Sequence, residues 1–213
     1  ILAEQIRLYF SINKLFYAKQ HGFRQSHSCE SALHEVISSC CSNVDKKLVN
    51  LLLFIDFKKA FDLVSPDILF VKLLNYGFSN NALDLMGNYF DSRLQATKIN
   101  SIQSKPRKIS LGVPQGSVLG PLLFLIYIND LTAFLKSIDT TLFADDTTMA
   151  FIDVDFDAAI AKCKDGLKLL IEWCEFNFLY VNWSKTFAMF ITNKRESPPA
   201  YIMVDNTKIE VVS

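Results

Sequence analysis

Apolar residues along the chain form short continuous runs and helical repeats. Residues 51–55 are continuously apolar, as expected of a strand that is buried on both faces. A helix is predicted to begin at Ser65-Pro66-Asp67, because serine caps helices, proline fits the first helical position and aspartate suits the helix dipole. Gly77 is a natural end for this helix. Its predicted buried face consists of Ile68, Leu69, Val71, Leu73 and Leu74.

The second half of the chain predicts a hairpin followed by a long helix. Residues 140–144 and 147–151 have the character of two strands that are joined by a tight turn. A helix is predicted over about 156–176, where apolar residues recur every three or four positions. The residues of that apolar face are Ile160, Cys163, Leu167, Leu170 and Cys174.

Further strands complete the predicted fold. Residues 187–191 predict a buried strand, and 202–204 with 209–212 predict a closing hairpin around Asp205-Asn206-Thr207. Strands and helices in this order predict an α+β fold, with helices on one face of an antiparallel sheet.

Composition favours one packed folding unit inside the cell. The chain has 213 residues, of which 50% are hydrophobic and 18 are phenylalanine, and such a composition does not remain disordered. It contains no apolar run approaching the roughly 18 residues of a membrane span, so no membrane association is expected. The five cysteines are odd in number and lack C-x-x-C spacing, which fits a reducing compartment, cytoplasm or nucleus.

The charge balance is neutral overall but uneven along the chain. Lysine and arginine number 22, as do aspartate and glutamate, whereas a nucleic-acid enzyme is expected to be basic. The segment between Asp91 and Asp130 holds no acidic residue. Its basic residues are Arg93, Lys98, Lys105, Arg107 and Lys108. This segment is a candidate contact for a phosphate backbone, and a solvated hairpin is the alternative.

Two adjacent carboxylates at the predicted turn are the leading candidate for chemistry. Asp145 and Asp146 repel each other, and a hard divalent cation such as Mg²⁺ would remove that repulsion. Favourable turn chemistry is the simpler explanation for the pair alone. Asp56 directly follows the strand 51–55, at the rim of the predicted sheet. If Asp56 lies beside the pair, three carboxylates are enough to hold two metals for phosphoryl transfer.

A Gly/Pro-rich loop is the third candidate element. Residues 112–121 contain three glycines and two prolines and lead into the apolar helix predicted over 122–128. Glycine lets backbone come close to a ligand, and the helix N-terminus could face an anion. A plain loop entering a core helix explains the same pattern.

These elements together resemble the reverse transcriptase of non-LTR retrotransposons, the long interspersed elements. The stretch 54–62 (Phe-Ile-Asp-Phe-Lys-Lys-Ala-Phe-Asp) resembles the family's first catalytic motif, and 112–121 resembles its template- and nucleotide-positioning motif. Phe143-Ala144-Asp145-Asp146 resembles its Phe/Tyr-Ala-Asp-Asp box. Residues 20–24 with Ser28 resemble the upstream Gly-Phe-Arg motif, and 177–186 resembles the segment after the box.

The resemblance implies an RNA-directed DNA polymerase that adds deoxynucleotides to a DNA primer on an RNA template. It implies two Mg²⁺ ions, with Mn²⁺ as an alternative, that are bridged by Asp56 and Asp145, and Asp146 as a weaker partner. Lys185 is implied as the general acid that protonates pyrophosphate. Arg24 is implied to contact phosphate, with a structural ion pair as the alternative.

The resemblance also implies which residues surround the incoming nucleotide. Backbone N–H groups around Phe57, Lys59 and Ala60 would meet its triphosphate, and Phe61 would exclude a ribose 2′-OH. Gln115 would contact the sugar, Gly116 would let template and nucleotide approach, and Ala144 would pack near the primer end. The further nucleic-acid contacts are expected at Lys105, Arg107 and Lys108.

The same resemblance gives an expected domain layout. About 1–50 and 65–110 would be finger and palm elements, 51–64 and 111–191 the catalytic palm, and 192–213 the closing hairpin. The chain lacks the family's upstream Arg-Pro-Ile-Ser-type segment and ends before a thumb, so a piece of a larger polyprotein or a decayed copy is expected. A catalytically silent fragment that binds nucleic acid or a partner remains the alternative, as does a group II intron-type enzyme.

Overall fold

The fold is described by a computed structural model that covers residues 1–91, 93–136 and 138–212. Helices precede the strands and lie between them along the chain, in agreement with the predicted α+β class. The α-helices are α1 (Leu2–Ile12), α2 (Cys29–Asp45), α3 (Pro66–Asn75), α4 (Asn80–Phe90), α5 (Leu119–Ile128), α6 (Leu131–Leu135) and α7 (Phe156–Phe176). A short 3-10 helix spans Ala60–Asp62.

A six-stranded sheet forms the centre of the molecule. Its strands are β1 (Val49–Ile55), β6 (Asp139–Phe143), β7 (Asp146–Asp153), β8 (Phe187–Ile191), β9 (Tyr201–Val204) and β10 (Thr207–Val212), in the order β6-β7-β1-β8-β10-β9. Strand β1 pairs antiparallel with both β7 and β8, which explains why nearly all of its residues are buried. The predicted hairpin over 202–212 is confirmed as β9–β10.

Four short strands form an exposed ribbon outside this sheet. They are β2 (Leu94–Gln95), β3 (Lys98–Ile99), β4 (Ile102–Gln103) and β5 (Arg107–Lys108), and β2 pairs with β5 while β3 pairs with β4. The Ile109 N–H donates to the Arg93 carbonyl at 3.0 Å and closes the base. We call residues 93–109 the basic ribbon, and its paired residues are all exposed.

One hydrophobic core lies between the sheet and most of the helices. Helix α5 is apolar on every side and almost completely buried, as expected of a central helix. Helix α7 packs on β1 and β7, where Gly166 leaves room for the Phe151 ring. The predicted span of α7 is confirmed, and Cys163, Leu167, Leu170 and Cys174 are buried while Ile160 is half-buried.

Two details of the sheet differ from the predicted arrangement. Strand β10 runs parallel to β8, so the sheet is mixed, because the segment 192–200 carries the chain past β8 before the closing hairpin. Helix α2 packs on the face opposite to α7. The side chain of Asn50 shows this, since it accepts a hydrogen bond from Asn43 Nδ2 at 2.8 Å while its neighbour Leu51 faces the core.

Helix α3 confirms the predicted start but corrects the predicted buried face. It begins at Pro66 after Ser65 and is followed by Gly77 at φ +89°. Val71 and Leu74 were expected to be buried but are 58% and 53% exposed, whereas Lys72 is buried at 8%. Lys72 is stabilised there because its Nζ donates to the Tyr127 carbonyl at 2.5 Å and to Asp130 Oδ1 at 2.7 Å. In the described part of the chain, no helix is both long and apolar enough to cross a membrane.

Candidate active site

Asp56 lies at the end of β1, as the sequence predicts. The segment between α7 and β8 holds Asp56 in this position. Asn182 Nδ2 donates to Asp56 Oδ2 at 2.7 Å, and the Asn182 N–H donates to the Asp56 carbonyl at 2.8 Å. Lys185 Nζ lies 4.0 Å from the same Oδ2. Asp56 is therefore fixed in position with a cation facing it.

Asp145 and Asp146 lie at the tip of the β6–β7 hairpin. Phe143 pairs with Asp146, so the turn consists of Ala144 and Asp145. Ala144 adopts φ +58°, a left-handed conformation that the first turn position of many two-residue hairpins requires. Ile55 pairs with Thr147, which brings the residue after β1, Asp56, beside Asp146. The pairing of β1 with β7 thus brings the two acidic elements together.

The carboxylates influence one another electrostatically. Burial raises the pKa of Asp145, and the negative charges of Asp146 and Asp56 raise it further. Burial likewise raises the pKa of Asp146, with a further contribution from Asp56. The Lys185 ammonium opposes both shifts. A divalent cation would remove the repulsion that these raised pKa values reflect.

The donor set fits Mg²⁺ in a site that is completed by substrate. No group of three His, Cys, Asp or Glu side chains that could hold a metal occurs within residues 1–91, 93–136 and 138–212. Mg²⁺ does not need such a cage, because it commonly uses one or two carboxylates together with water and substrate phosphates. The carboxylate oxygens of Asp56 and Asp145 are hard ligands of the kind that Mg²⁺ and Mn²⁺ prefer.

Two adjoining cavities meet at Asp56. Asp56 and Asp145 line one cavity of about 640 Å³, and Asp56 and Asp146 line another of about 540 Å³. The first, which we call the nucleotide cavity after the role that the motif resemblance implies for its residues, lies within the range of about 300–1,000 Å³ that is typical of small-molecule sites. Its remaining lining comprises residues 57–63, Gln115, Asn182 and Lys185.

The segment 57–61 lines the nucleotide cavity mainly with backbone. The side chains of Phe57 and Ala60 are buried in the core, at 3% and 2% exposure. Lys59 is exposed and adopts φ +47°, which turns the chain into the short helix Ala60–Asp62. The Lys58 N–H already donates to the Tyr180 carbonyl at 2.8 Å, so it is engaged within the fold.

Phe61 and Gln115 line the cavity where it meets the Gly/Pro loop, and Gly116 follows Gln115 in that loop without lining the cavity. The Phe61 ring stacks on Phe124 of α5 with a centroid distance of 4.3 Å. Gln115 Nε2 donates to Asp62 Oδ1 at 2.7 Å, so the loop is tied to the segment after β1. Gly116 adopts φ +81°, and a Cβ there would meet open space, so backbone conformation alone requires glycine.

The predicted nucleic-acid contacts Arg24, Lys105, Arg107 and Lys108 line neither of the two cavities at the carboxylates. Arg24 Nη1 donates to the Tyr17 carbonyl at 2.7 Å and to the Gln20 carbonyl at 3.1 Å, so Arg24 stabilises a loop rather than forming the ion pair considered for it. Lys105 and Arg107 are exposed on the basic ribbon. Lys108 Nζ lies 3.4 Å from Asp91 Oδ1 and lines a larger cavity of about 940 Å³ next to Gln115.

Two residues at the site had no role assigned from the sequence. Asn182 orients Asp56, and Gln20 contacts the backbone of Ala144. Both lie in motifs that the sequence singles out. Their partners, however, are 126 and 124 residues away in the chain, and no local pattern reveals such a pairing.

A solved structure shares the fold of this chain. The structure titled apo telomerase from Candida tropicalis, truncated from its C-terminal domain, aligns with a TM-score of 0.63 at 16% identity, over 97% of this chain and 43% of that one. At this identity the likeness establishes a shared fold and nothing further.

Sequence comparison then establishes the family. The profile described as "Reverse transcriptase (RNA-dependent DNA polymerase)" matches residues 1–209, so the chain belongs to the reverse transcriptase family. The "Probable RNA-directed DNA polymerase from transposon BS" of Drosophila melanogaster is 29% identical over 93% of this chain and 22% of its own length. The corresponding protein "from transposon X-element" of the same organism is 32% identical over 84% of this chain and 20% of its own length.

These relatives confirm the resemblance to retrotransposon reverse transcriptases that the motifs indicated. The chain matches only part of the length of each relative. The retrotransposon type agrees with the relatives' names. The chain spans about a fifth of the length of these curated relatives, at 22% and 20%.

Proposed function

We propose that this chain is the catalytic core of an RNA-directed DNA polymerase of a retrotransposon. It adds a deoxynucleotide to a primer 3′-hydroxyl on an RNA template. The observation that carries the proposal is the position of Asp56 and Asp145, which line a nucleotide-sized cavity together with Lys185 in a reverse transcriptase fold.

Asp56 and Asp145 are the proposed ligands of Mg²⁺, and Asp146 is the weaker partner. Mg²⁺ when bound supplies Lewis-acid stabilisation of the attacking and leaving oxygens. The assignment is supported by the cavities, since Asp145 shares the nucleotide cavity with Asp56 while Asp146 lines the adjoining one. Asn182 keeps the Asp56 carboxylate oriented through its 2.7 Å hydrogen bond.

The remaining residues of the nucleotide cavity are proposed to hold and select the substrate. Backbone around Phe57, Lys59 and Ala60 faces the triphosphate, and Lys185 donates a proton to the leaving pyrophosphate. Phe61, fixed by its stacking on Phe124, blocks the position of a ribose 2′-OH. Gln115 contacts the sugar, with Gly116 leaving room for template and nucleotide.

The proposal extends to the primer, the template and the domain layout. Ala144 packs near the primer end, and the basic ribbon with Lys105, Arg107 and Lys108 contacts phosphate, as does Arg24. The catalytic palm comprises 51–64 and 111–191, the finger and palm elements comprise about 1–50 and 65–110, and the closing hairpin comprises 192–213.

Primer extension on an RNA template with Mg²⁺ tests the proposal. The full-length protein, by which we mean this chain together with any sequence that flanks it, is expected to extend the primer. Asp145→Ala is expected to abolish extension. Asp84→Ala, which removes an exposed carboxylate on α4, is the matched control and is expected to leave the rate unchanged. Extension that survives Asp145→Ala would refute the assignment of Asp145.

A silent nucleic-acid-binding fragment is the second candidate. It is favoured by the small share of the relatives' length that the chain spans, 22% and 20%. The 213-residue chain and the full-length protein are therefore assayed side by side. Binding without extension by both proteins supports the second candidate, whereas extension by the longer protein alone indicates that the chain needs its flanking sequence.

A further inference from the structure

We infer that Gln20 is a positioning residue for the catalytic turn, an inference that rests on the proposed polymerase function. Gln20 is 1% exposed and lies behind the β6–β7 turn. Its Oε1 accepts a hydrogen bond from the Ala144 N–H at 3.0 Å, and its Nε2 donates to the Ala144 carbonyl at 3.4 Å. One side chain thus binds both polar backbone groups of the residue that precedes Asp145.

The backbone around Gln20 reinforces this contact. Gln20 forms a parallel bridge with Leu142 of β6. The His21 N–H donates to the Leu142 carbonyl at 2.7 Å, and the Leu142 N–H donates to the Lys19 carbonyl at 2.9 Å. We call residues 19–22 the strap, because they lie along the outer edge of β6 and lead directly to the turn. β1 fixes the hairpin from the β7 side, and the strap fixes it from the other side.

Gly22 ends the strap in close contact with the turn. A Cβ at Gly22 would lie 2.2 Å from the Ala144 nitrogen, a distance that no packing can accommodate without movement of the backbone. The Gly22 N–H also donates to Gln20 Oε1 at 2.8 Å, so the same oxygen joins the strap to the turn. Glycine at this position is what allows the strap to approach Ala144.

The turn needs such support for two physical reasons. Ala144 adopts φ +58°, which is unfavourable for a residue with a Cβ and persists only where the surroundings hold it. The turn also brings the negatively charged side chains of Asp145 and Asp146 close to Asp56, and like charges at short range repel one another. Without Gln20 both effects favour movement of Asp145 away from Asp56.

Positioning predicts a specific kinetic signature. Gln20 acts on Asp145 through the Ala144 backbone, and Gln20 itself does not line the nucleotide cavity. Loss of Gln20 is therefore expected to lower kcat and to weaken the binding of the divalent metal. The KM for deoxynucleotide is expected to stay nearly unchanged. A displacement of about 1 Å at a reacting group can reduce a rate by about a hundredfold.

The test compares Gln20→Met and Gly22→Ala in the full-length protein. Gln20→Met keeps side-chain length but removes the hydrogen bonds, and Gly22→Ala pushes on the turn while it keeps the glutamine side chain. Gln25→Met is the matched control, because Gln25 is exposed five residues further along. The measurements are kcat, the KM for deoxynucleotide, the Mg²⁺ concentration for half-maximal rate, Mn²⁺ affinity by electron paramagnetic resonance, and Tm.

Both variants are expected to lose about tenfold to a hundredfold in kcat, with weaker Mn²⁺ binding and less than about a threefold change in KM. An unchanged kcat in Gln20→Met, or a change confined to KM, would overturn the inference. If Gln20→Met fails to fold, Gly22→Ala decides: a lowered kcat at unchanged Tm supports positioning, and an unchanged kcat refutes it.

If the proposed polymerase function is wrong, the measurements differ from those expected if only the positioning role is wrong. If the wild-type protein does not extend a primer, Mn²⁺ affinity is compared among the wild type, Gln20→Met and Asp145→Ala. Weakened Mn²⁺ binding in both variants supports the positioning role, whereas weakening in Asp145→Ala alone overturns it. Binding that all three proteins lack refutes the metal site and the positioning role with it.

Discussion

Asp145 is held in the folded chain at a cost in stability. Its folded-state pKa is raised, first by burial and then by Asp146 and Asp56. As the pH falls, the folded state takes up this proton before the unfolded state does, so the free energy of unfolding rises toward acid pH. At pH values above its folded-state pKa, the ionised carboxylate of Asp145 therefore destabilises the fold.

Asp145→Asn is accordingly expected to raise Tm at neutral pH while it abolishes primer extension. The gain is expected to stay within about 2–4 °C, the shift that about 1 kcal/mol produces in a chain of this length. Thermal melts at pH 7 and at pH 5 measure it, and the difference between the two proteins should shrink at the lower pH. Asp84→Asn serves as the control, and a lower Tm for Asp145→Asn at pH 7 would contradict the sign of the effect.

Phe61 gives a second prediction at the scale of one residue. Phe61→Ala is expected to let ribonucleotides enter, because the ring that blocks the 2′-OH is removed. The change in discrimination is expected to be on the order of 10–200-fold, the range for a small steric difference in a pocket. The measurement is the ratio of kcat/KM for deoxynucleotide to that for ribonucleotide.

Phe23→Ala is the matched control for Phe61→Ala. Its ring contacts Phe61 edge-on at a centroid distance of 6.3 Å and is 52% exposed. Loss of the 4.3 Å stacking on Phe124 is also expected to destabilise Phe61→Ala by about 1 kcal/mol. Unchanged discrimination in a folded Phe61→Ala protein would remove Phe61 from the nucleotide site.

At the scale of elements, Lys72 links α3 to the helices α5 and α7. Its Nζ contacts Asp130 Oδ1 at 2.7 Å, and Trp173 Nε1 of α7 donates to the same oxygen at 3.1 Å. Burial lowers the pKa of Lys72, and Asp130 opposes that shift. Asp130 is thus the carboxylate that makes a buried ammonium tolerable.

Asp130→Ala is expected to destabilise the fold because Lys72 is left charged and poorly compensated. Breaking a fully buried pair costs about 3–5 kcal/mol. Since the Asp130 side chain is 43% exposed, we expect about 2 kcal/mol, seen as a fall in Tm of about 4–8 °C. Adding Lys72→Met to Asp130→Ala should recover most of the loss. A double variant no more stable than the single one would show that the charge is not the cause.

The elements also show what the sequence could and could not predict. Helix α7 and the start of α3 follow from local patterns, since periodicity and a Ser-Pro-Asp start act over a few residues. The burial of Lys72 does not, because it depends on Asp130 and Trp173 from distant segments. The parallel pairing of β10 with β8 likewise depends on the path of the intervening loop.

In the candidate site, too, some features follow from local sequence and others depend on contacts between distant segments. Asp56 and Asp145 could be identified from the strand that precedes one and the turn that holds the other. The pairing of β1 with β7 brings them together, and that pairing was a hypothesis at the level of sequence. The Gln20 contact with Ala144 could not be foreseen, because a buried glutamine has no local signature and its partner is 124 residues away.

At the scale of the whole molecule, the proposed binding of nucleic acid by a neutral chain requires a local concentration of charge. Lysine and arginine equal aspartate and glutamate at 22 each, so no general attraction to phosphate is expected. The basic ribbon provides such a concentration, because four of its five basic side chains are exposed and its sequence contains no acidic residue. Binding should therefore depend on this element and on salt concentration.

Replacing Lys105, Arg107 and Lys108 together with alanine is expected to weaken binding to a primed RNA template and to flatten its salt dependence. Each lost phosphate contact lowers the slope of log K against log salt by about 0.7–0.9, so three contacts lower it by about 2–3. The control replaces Lys46, Lys47 and Arg195, which are exposed and lie near the end of the sheet where β1 begins, away from Asp56. Because both triple variants change the net charge equally, a general charge effect would lower the two slopes alike. A lower slope in the ribbon variant alone would identify the basic ribbon as the surface that holds the template and primer against the carboxylates.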